Sequence, residues 1–319
     1  MKLSIGKLRG LQQLSGEGDI FTMVAMDQRG SLKAMLNKEH PDQVSWETMR
    51  DVKLDLASTF SRHASAVLID PDFGVAPALA AGAISGRCGL LVAVEWSGYD
   101  KLGEARVGRL LDGWSVAKVK RLGASAVKLL VHYHPDHKEG AERQRQLVAK
   151  VVSDCAESDI PAVVEAVSYG LGSPAERPDV VVRTARDLIA LNIDVFKAEF
   201  PQDLKADPDE AKAAEWCKRL NEACGQTPWV ILSAGAPMDI FKRQVEIACR
   251  NGASGFLAGR ALWQDGVKQP DATSRRNYLQ SQGVENFRVV AEIARAHATP
   301  WTKKVGAVPA PGPDWYKSY

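Results

Sequence analysis

The feature of this sequence that most restricts its fold is a regular alternation of short apolar runs with longer amphipathic segments. The runs are rich in β-branched residues, as buried parallel strands are. One of the segments between them, residues 208–225, begins with proline and acidic residues and ends at a glycine, as a helix does. Eight such strand–helix units predict a single-domain (β/α)8 barrel. The predicted strands are residues 21–27, 65–70, 90–96, 126–133, 162–169, 194–200, 228–235 and 255–260.

An open, doubly wound sheet would give a similar alternation and is the alternative fold. Such a sheet usually carries a glycine-rich fingerprint directly after its first strand. Here the first strand runs into MDQRGSL, residues 26–32, which lacks that fingerprint. We therefore favour the closed barrel, an α/β fold of the TIM-barrel type.

No internal segment has the composition of a linker between two domains. The clearest proline- and glycine-rich stretch is residues 305–319, which we interpret as an extended tail that lies on a surface through Trp315 and Tyr316. We therefore expect one barrel domain over residues 1–304, followed by this tail over residues 305–319.

The overall composition argues against several classes of function. With 41 basic and 39 acidic residues, the formal net charge is +2, and nothing indicates nucleic acid or an anionic membrane as a partner. The five cysteines are scattered without a CxxC pair, which argues against a disulfide framework or a zinc ribbon. We find no apolar run of ~18 residues and no apolar signal-peptide core near the N-terminus. We expect a cytoplasmic protein with reduced thiols that forms a homodimer.

Polar side chains collect late in the predicted strands or just after them. In a barrel these strand ends meet at one face, and the active sites of TIM barrels lie at that face. We therefore expect one site there. The residues concerned are Asp27, Gln28, Arg29, Asp70, Asp72, Glu95, Lys128, Glu165, Lys197, Glu199, Ser233, Gly235, Gly259 and Arg260.

Lys197 lies in the middle of an apolar strand, where an ammonium group is costly unless it is paired or loses its proton. Because side chains alternate between the faces of a strand, Lys197 shares a face with Val195 and Glu199. The opposite face carries Phe196 and Phe200, whose bulk suits packing against helices. We therefore expect Lys197 to point into the barrel.

Lys128 is flanked by apolar residues in the same way and should also point inward. Two lysines inside one barrel repel each other, which should lower the pKa of at least one of them. A lysine with a lowered pKa is a nucleophilic amine at neutral pH, as Schiff-base chemistry requires. The alternative for such a lysine is a structural ion pair with Glu165 or Glu199.

Glu165, on the strand between the two lysines, is the candidate proton carrier. Its apolar neighbours should raise its pKa and let it exchange a proton near neutral pH. An ion pair with Lys128 or Lys197 is the alternative role, and the two roles are compatible.

Two motifs of small residues follow the seventh and eighth strands, ILSAGAPMD (231–239) and FLAGRALW (256–263). Exposed backbone amides, a helix N-terminus and an arginine are the groups that bind an anion. Since barrels often hold phosphate in the loops after these two strands, the adjacent motifs favour a phosphate site. The alternative is that their glycines only form tight turns.

The segment HYHPDHKEG, residues 132–140, contains His132, His134 and His137 and could be a metal cluster. Its proline and its charged residues are more typical of a solvated loop. We therefore predict no metal and no other cofactor.

Seven motifs between residues 20 and 267 are informative together, namely AMDQRGSLKAML, SAVLIDPDFG, AVKLLVHY, VVEAVSY, DVFKAEFP, WVILSAG and GASGFLAGRALW. In this order they resemble the class I, Schiff-base aldolases of the tagatose-1,6-bisphosphate aldolase family, to which the sulfofructose-1-phosphate aldolases are related. The fold of that family is a (β/α)8 barrel.

The resemblance implies that Lys197 forms an imine with a ketose phosphate and that Glu165 handles protons, with no cofactor. Asp27 and Lys128 would complete the catalytic set. The C1 phosphate and the rest of the sugar would be bound by Gln28, Arg29, Ser233, Gly235, Gly259 and Arg260.

The expected reaction is cleavage of a ketose 1-phosphate similar to tagatose 1,6-bisphosphate into dihydroxyacetone phosphate and an aldehyde. The motif DQRGSLK resembles the tagatose branch, whereas GASGFLAGRALW resembles the sulfosugar branch. The alternative substrate is therefore 6-deoxy-6-sulfofructose 1-phosphate, which gives sulfolactaldehyde. Two other possibilities are a zinc-dependent class II aldolase that uses the histidines and a non-catalytic barrel that binds sugar phosphates.

Overall fold

The computed structural model describes residues 3–306, 311–317 and 319, and within them eight parallel strands close into a barrel. The predicted (β/α)8 fold is therefore confirmed. Two further short strands form a separate antiparallel hairpin, β4 (Asp100–Leu102) and β5 (Ala105–Val107). The barrel strands are β1 (Phe21–Ala25), β2 (Ala66–Ile69), β3 (Gly89–Ala93), β6 (Ala126–His132), β7 (Ala162–Val167), β8 (Val195–Ala198), β9 (Trp229–Ile231) and β10 (Gly255–Ala258).

The order of the strands around the barrel is β1, β2, β3, β6, β7, β8, β9 and β10, and β10 pairs with β1 to close it. No helix in the described part of the chain has the length and apolar character needed to cross a membrane. The helices are α1 (Ile5–Leu14), α2 (Gly30–Leu36), α3 (Trp46–Phe60), α4 (Val75–Ala80), α5 (Val116–Arg121), α6 (Lys138–Glu157), α7 (Arg177–Ile189), α8 (Glu210–Cys224), α9 (Met238–Arg250), α10 (Arg260–Val267), α11 (Ala272–Tyr278), α12 (Val284–His297) and α13 (Trp301–Val305).

Helix α8 shows how local sequence sets the limits of an element. The side chain of Asp209 accepts hydrogen bonds from the backbone amides of Ala211 and Lys212, as an N-cap residue does. Gly225 ends the helix with a φ of 54°, in the region that favours glycine. Both ends of the helix agree with the sequence, in which this segment begins with proline and acidic residues and ends at a glycine.

The barrel separates two apolar clusters. One cluster fills the inside of the barrel and includes Val195, Val163 and Leu257. The other lies between the strands and the helices and includes Phe196 and Phe200. The two faces of β8 therefore divide as the alternation predicts, with Lys197 on the inner face.

Helices α1 and α13 close the amino-terminal end of the barrel. Leu11 and Leu14 of α1 pack with the inner cluster. Trp301 of α13 stacks on Phe21, with ring centroids 6.5 Å apart and an angle of 20° between the rings. A ligand therefore enters this barrel from the carboxyl end of the strands.

The first residue of the predicted tail, Val305, is the last residue of α13 and is buried. Residues 307–310 and 318 of the tail lie outside the described residues. Trp315 and Tyr316, which we expected to lie on a surface, are 41% and 62% exposed. Trp315 packs edge-on against Tyr319 at 5.2 Å. The division into a domain of residues 1–304 and a tail remains a proposal.

A fully buried ion pair joins α3 to the carboxyl ends of β1 and β2. Lys53 Nζ lies 2.5 Å from Asp70 Oδ2 and donates to the carbonyl oxygens of Met26 and Gln28 at 2.5 Å and 2.7 Å. The other carboxylate oxygen of Asp70 accepts a hydrogen bond from the amide of Phe73 at 2.8 Å. The pair thus fixes the path of the chain where two strands deliver residues to the open face.

Replacing Lys53 with methionine leaves the carboxylate of Asp70 buried without its counter-ion. Removing one partner of a buried pair costs about 3–5 kcal/mol. We expect the free energy of unfolding, measured by urea denaturation at pH 7, to fall by about this amount. As a control, Arg288→Met removes exposed ion pairs with Glu285 and Glu292 and should leave the midpoint nearly unchanged. A Lys53→Met protein as stable as the wild type would contradict this role for the pair.

Candidate active site

A cavity of about 350 Å³ opens at the carboxyl end of the barrel strands. This size is within the usual range for small-molecule sites. Gly235 does not line it, but lines a neighbouring hollow of about 180 Å³ that shares Ser233 and Ala234 with the cavity. The other nine residues to which the sequence assigns a catalytic or binding role all line the cavity, namely Asp27, Gln28, Arg29, Lys128, Glu165, Lys197, Ser233, Gly259 and Arg260. Of the four further polar residues expected at this face, Glu95 and Glu199 line the cavity, whereas Asp70 and Asp72 do not.

Lys128 is fully buried and surrounded by three carboxylates. Its Nζ lies 2.7 Å from Asp27 Oδ2, 2.6 Å from Glu95 Oε1 and 3.1 Å from Glu165 Oε2. Burial by itself would lower the pKa of Lys128, but Asp27, Glu165 and Glu95 outweigh it and raise the pKa well above its usual range. The lowered pKa that we expect for at least one of the two lysines is therefore not that of Lys128, which stays an ammonium group.

Lys197 has a simpler environment. It is 3% exposed, and its Nζ donates to Glu165 Oε2 at 2.8 Å. Within the part of the chain that the structure describes, no other carboxylate forms an ion pair with it. Glu165 is the register neighbour of Lys197 on the adjacent strand, and its Oε2 contacts the ammonium groups of both Lys197 and Lys128.

The carboxylates of the network are held in their charged form. Burial would raise the pKa of Glu165, but the ammonium groups of Lys128 and Lys197 lower it further than burial raises it. The same two lysines hold the pKa of Asp27 well below its usual range against the effect of burial. The predicted rise in the pKa of Glu165 is therefore wrong, since its nearest neighbours are cations on other strands.

Glu199 differs from Asp27 and Glu165 in the direction of its pKa shift. Burial raises its pKa, although the amide of Ser168 donates a hydrogen bond to Glu199 Oε2 at 2.8 Å. Glu199 lies two residues after Lys197 and lines the same cavity.

Arg29 covers the cavity on the side of β2 and β3. It donates to Asp72 Oδ2 at 2.7 Å and to the carbonyl oxygen of Glu95 at 2.9 Å. It also lies 3.8 Å from the Glu95 carboxylate. Arg29 is 7% exposed, so these contacts hold its guanidinium in a defined position.

The motifs after β9 and β10 meet at one corner of the cavity. The amide of Gly259 donates to Ser233 Oγ at 3.4 Å, and Arg260 begins α10 beside it. Among the described residues, Arg260 Nε and Gln28 Oε1 are buried without a hydrogen-bond partner. Trp263 fixes α10 in this position by donating from its indole to the carbonyl oxygen of Ala25 at 2.9 Å.

The three histidines do not form one cluster. His132 is the last residue of β6, lines the cavity and packs edge-on against Tyr99. His134 is buried and stacks on His137, with centroids 4.5 Å apart. No group of three or more His, Cys, Asp or Glu side chains in the described residues is arranged to hold a metal ion. The predicted solvated loop is therefore wrong for His132 and His134, which pack against other rings.

Comparison with known proteins identifies the family. Residues 21–265 match the DeoC/LacD family of aldolases. The chain belongs to this family. It is therefore an aldolase, a lyase, as the sequence motifs predict.

Curated relatives match over nearly the whole chain. A tagatose 1,6-diphosphate aldolase from Lactococcus lactis subsp. lactis is 31% identical over 96% of this chain and all of the relative. Tagatose 1,6-diphosphate aldolase 2 from Streptococcus agalactiae serotype III has the same identity and coverage. The predicted resemblance to tagatose-1,6-bisphosphate aldolases is confirmed.

Solved structures of other aldolases share the barrel. A Schiff-base-forming fructose-1,6-bisphosphate aldolase superposes with a TM-score of 0.59 and 19% identity, over 89% of this chain and 98% of that chain. A fructose-bisphosphate aldolase from Slackia heliotrinireducens gives a TM-score of 0.63 with 14% identity, over 90% of this chain and 94% of that chain. At these identities the likeness shows the fold alone.

Sequence reasoning left several cavity residues of this aldolase out of the candidate set. Glu95 and Glu199 are polar residues late in their predicted strands. Each alternates with apolar residues so that its side chain points into the barrel, and this pattern is the signal that could have added them to the candidate residues. Trp96 and Ser97, the two residues after Glu95, also line the cavity. His132 was considered only as a metal ligand, although it alternates in step with Lys128 along β6.

The shifted pKa of Asp27 predicts a specific acid dependence of stability. Because its pKa in the folded protein is below the usual aspartate value, its ionisation stabilises the fold above about pH 4. That contribution is lost as the pH falls from about 4 through the pKa of the folded state. We expect the difference in unfolding free energy between wild type and Asp27→Asn to be constant from about pH 7 to pH 5 and to narrow below about pH 4.

Urea denaturation at each pH measures this difference. The control is Glu104→Gln in the turn of the β4–β5 hairpin, where the side chain is exposed. The unfolding free energy of Glu104→Gln should change with pH in the same way as that of the wild type over the whole range. A gap between wild type and Asp27→Asn that stays the same down to about pH 3.5 would contradict the assignment.

Proposed function

We propose that this aldolase is a class I enzyme, which cleaves a ketose 1-phosphate to dihydroxyacetone phosphate and an aldehyde through a Schiff base on Lys197. The observation that supports this most directly is the unequal pairing of the two buried lysines. Lys128 is held by three carboxylates, whereas Lys197 pairs with the single carboxylate of Glu165. Lys197 is therefore the lysine that can lose its proton and act as a nucleophile.

The proton of Lys197 has an acceptor within hydrogen-bond distance. Glu165 Oε2 lies 2.8 Å from the amine, and Lys128 lies 3.1 Å from the same oxygen. Transfer of the proton to Glu165 leaves a neutral amine facing the cavity, as attack on a carbonyl requires. Lys128 keeps its own proton and stabilises the carboxylate of Asp27 in every state.

The corner formed by Ser233, Gly259 and Arg260 supports binding of the C1 phosphate. Buried polar atoms normally have hydrogen-bond partners, and Arg260 Nε and Gln28 Oε1 lack them within the described residues. Phosphate oxygens and sugar hydroxyls would supply those partners. With the phosphate fixed between β9 and β10, the C2 carbonyl is directed toward Lys197 on the neighbouring β8.

Cleavage then follows from the imine. Lys197 adds to C2, and loss of water gives an iminium ion that attracts electrons. A base removes the proton of the C4 hydroxyl, the C3–C4 bond breaks, and its electron pair forms an enamine. The aldehyde leaves, C3 is protonated, and water releases dihydroxyacetone phosphate and the free amine.

Glu165 is the proposed proton carrier for these steps. It lines the cavity, contacts Lys197 and is held charged at neutral pH by two ammonium groups. When Lys197 becomes an iminium ion, its nitrogen keeps one of the three N–H groups of the ammonium, and the carboxylate beside it can accept a proton from the substrate. Lys128, Asp27 and Glu95 hold the carboxylate in place during this exchange.

Tagatose 1,6-bisphosphate is the proposed substrate. Relatives named as tagatose 1,6-diphosphate aldolases are 30–31% identical over nearly the whole chain, which supports this choice. The motif GASGFLAGRALW at residues 252–263 favours 6-deoxy-6-sulfofructose 1-phosphate as the second candidate. Both ketoses have the same C1 phosphate and C2 carbonyl, and they differ in the substituent on C6 and in the configuration at C4.

Borohydride tests the Schiff base. Incubation with dihydroxyacetone phosphate and borohydride should reduce the imine and attach the three-carbon unit to Lys197, as located by peptide mass spectrometry. Lys197→Met should abolish this adduct and lower kcat by at least about 10³-fold. Near wild-type activity in Lys197→Met would refute the mechanism.

Glu165→Gln is the matched variant for this test, because it leaves the amine in place. It should still form the adduct, while kcat falls by about 10²–10⁴-fold, as expected for loss of a general acid or base. The two variants therefore separate imine formation from proton transfer.

A substrate panel tests the finer assignment. We expect the highest kcat/KM for tagatose 1,6-bisphosphate, when compared with fructose 1,6-bisphosphate and 6-deoxy-6-sulfofructose 1-phosphate under the same conditions. A higher value for the sulfonate would replace the proposed substrate and leave the Schiff-base mechanism intact.

A further inference from the structure

The wall of the cavity opposite the proposed phosphate corner is formed by β6. In the strand order of this eight-stranded barrel, β6 lies four strands from β10, and therefore directly across the barrel. Lys197 on β8 lies between them. A sugar whose phosphate is bound by Arg260 and whose C2 is attached to Lys197 must extend its remaining carbons toward β6.

His132 is the residue that β6 presents at this wall nearest the open face. It is two residues beyond Leu130, and Leu130 is the register partner of Glu165. At ~3.3 Å per residue, His132 therefore lies about 7 Å further along β6, toward the open face, than the point at which β6 pairs with Glu165. That is the level of the leaving half of a ketose whose C2 is held at Lys197.

The imidazole of His132 has hydrogen-bonding capacity that the protein does not use. Neither ring nitrogen forms a hydrogen bond with the described residues, and because Nδ1 is buried, Nε2 is the nitrogen that a ligand in the cavity can reach. Burial lowers the pKa of His132 to about 4, and Arg106 contributes to the lowering, so the ring is neutral at pH 7. A neutral imidazole has one donor and one acceptor nitrogen, which suits a hydroxyl group.

The β4–β5 hairpin fixes the orientation of this ring. Tyr99, just before β4, packs edge-on against His132 with centroids 4.9 Å apart. Arg106 of β5 lies 4.8 Å over the ring of Tyr99 and 5.5 Å from that of Tyr169. The imidazole is thus held against an aromatic stack and is not free to turn away from the cavity.

We propose that His132 binds the hydroxyl group on C5 of the ketose, which is the hydroxyl next to the carbonyl of the released aldehyde. His132 therefore determines which aldehydes the enzyme releases and accepts. The proposal rests on the Schiff-base function proposed above, and it assigns the aldehyde half of the same site.

Two aldehydes that differ only in this hydroxyl test the proposal in the direction of condensation. With dihydroxyacetone phosphate as the donor, the wild type should use lactaldehyde with a kcat/KM roughly tenfold higher than propanal, the value of one hydrogen bond. In His132→Phe the ratio should fall to about one, mainly through loss of activity with lactaldehyde. Phenylalanine keeps an aromatic ring against Tyr99, slightly larger than imidazole, and removes both nitrogens.

The controls separate this inference from the function on which it rests. His132→Asn, which keeps hydrogen-bonding groups, should restore part of the preference, whereas Leu130→Val should keep the ratio of the wild type. Borohydride trapping with dihydroxyacetone phosphate alone should succeed in every variant. An unchanged ratio in His132→Phe, with trapping intact, would overturn the inference alone, and failure of trapping in the wild type would overturn the Schiff-base function.

Discussion

The charge balance inside this barrel depends on one ammonium group, that of Lys128. Asp27, Glu95 and Glu165 come from three different strand ends and all approach it within 3.1 Å. Without it, three carboxylates would share a largely buried space with Lys197 beside Glu165 and Arg29 3.8 Å from Glu95, and Asp27 would lose its ion-pair partner. Like charges in a medium of low dielectric repel strongly. Lys128 therefore allows a proton-carrying carboxylate to exist beside a reactive amine.

The number of carboxylates around each amine explains why two lysines in one barrel differ. Lys128 is fully buried and is approached by Asp27, Glu95 and Glu165 from several sides. Lys197 is 3% exposed in the same cavity and pairs with Glu165 alone among the described carboxylates. A substrate can contact Lys197, but carboxylates occupy the surroundings of Lys128.

The sequence predicted the eight strands and the inward direction of Lys197 because both depend on local periodicity. It did not predict the direction of the pKa shift of Glu165, because the shift depends on cations from two other strands. The sequence also did not predict the buried ion pair between Lys53 and Asp70. A lysine in an amphipathic helix usually faces solvent, and this pair forms only when α3 packs against the barrel. Most residues of the site can be predicted because they lie at the ends of strands. Their charge states cannot, because these depend on contacts between side chains of different strands.

The proposed chemistry preserves the charge of this network. At rest, two ammonium groups face three carboxylates, which leaves one negative charge. If Lys197 lost its proton to bulk water, the network would carry two negative charges in a buried space, which is unfavourable. Transfer of that proton to Glu165 instead leaves the net charge unchanged, and the later iminium ion places a positive charge where the ammonium had been. The arrangement of Lys128, Glu165 and Lys197 thus favours moving protons within the cavity over exchanging them with solvent.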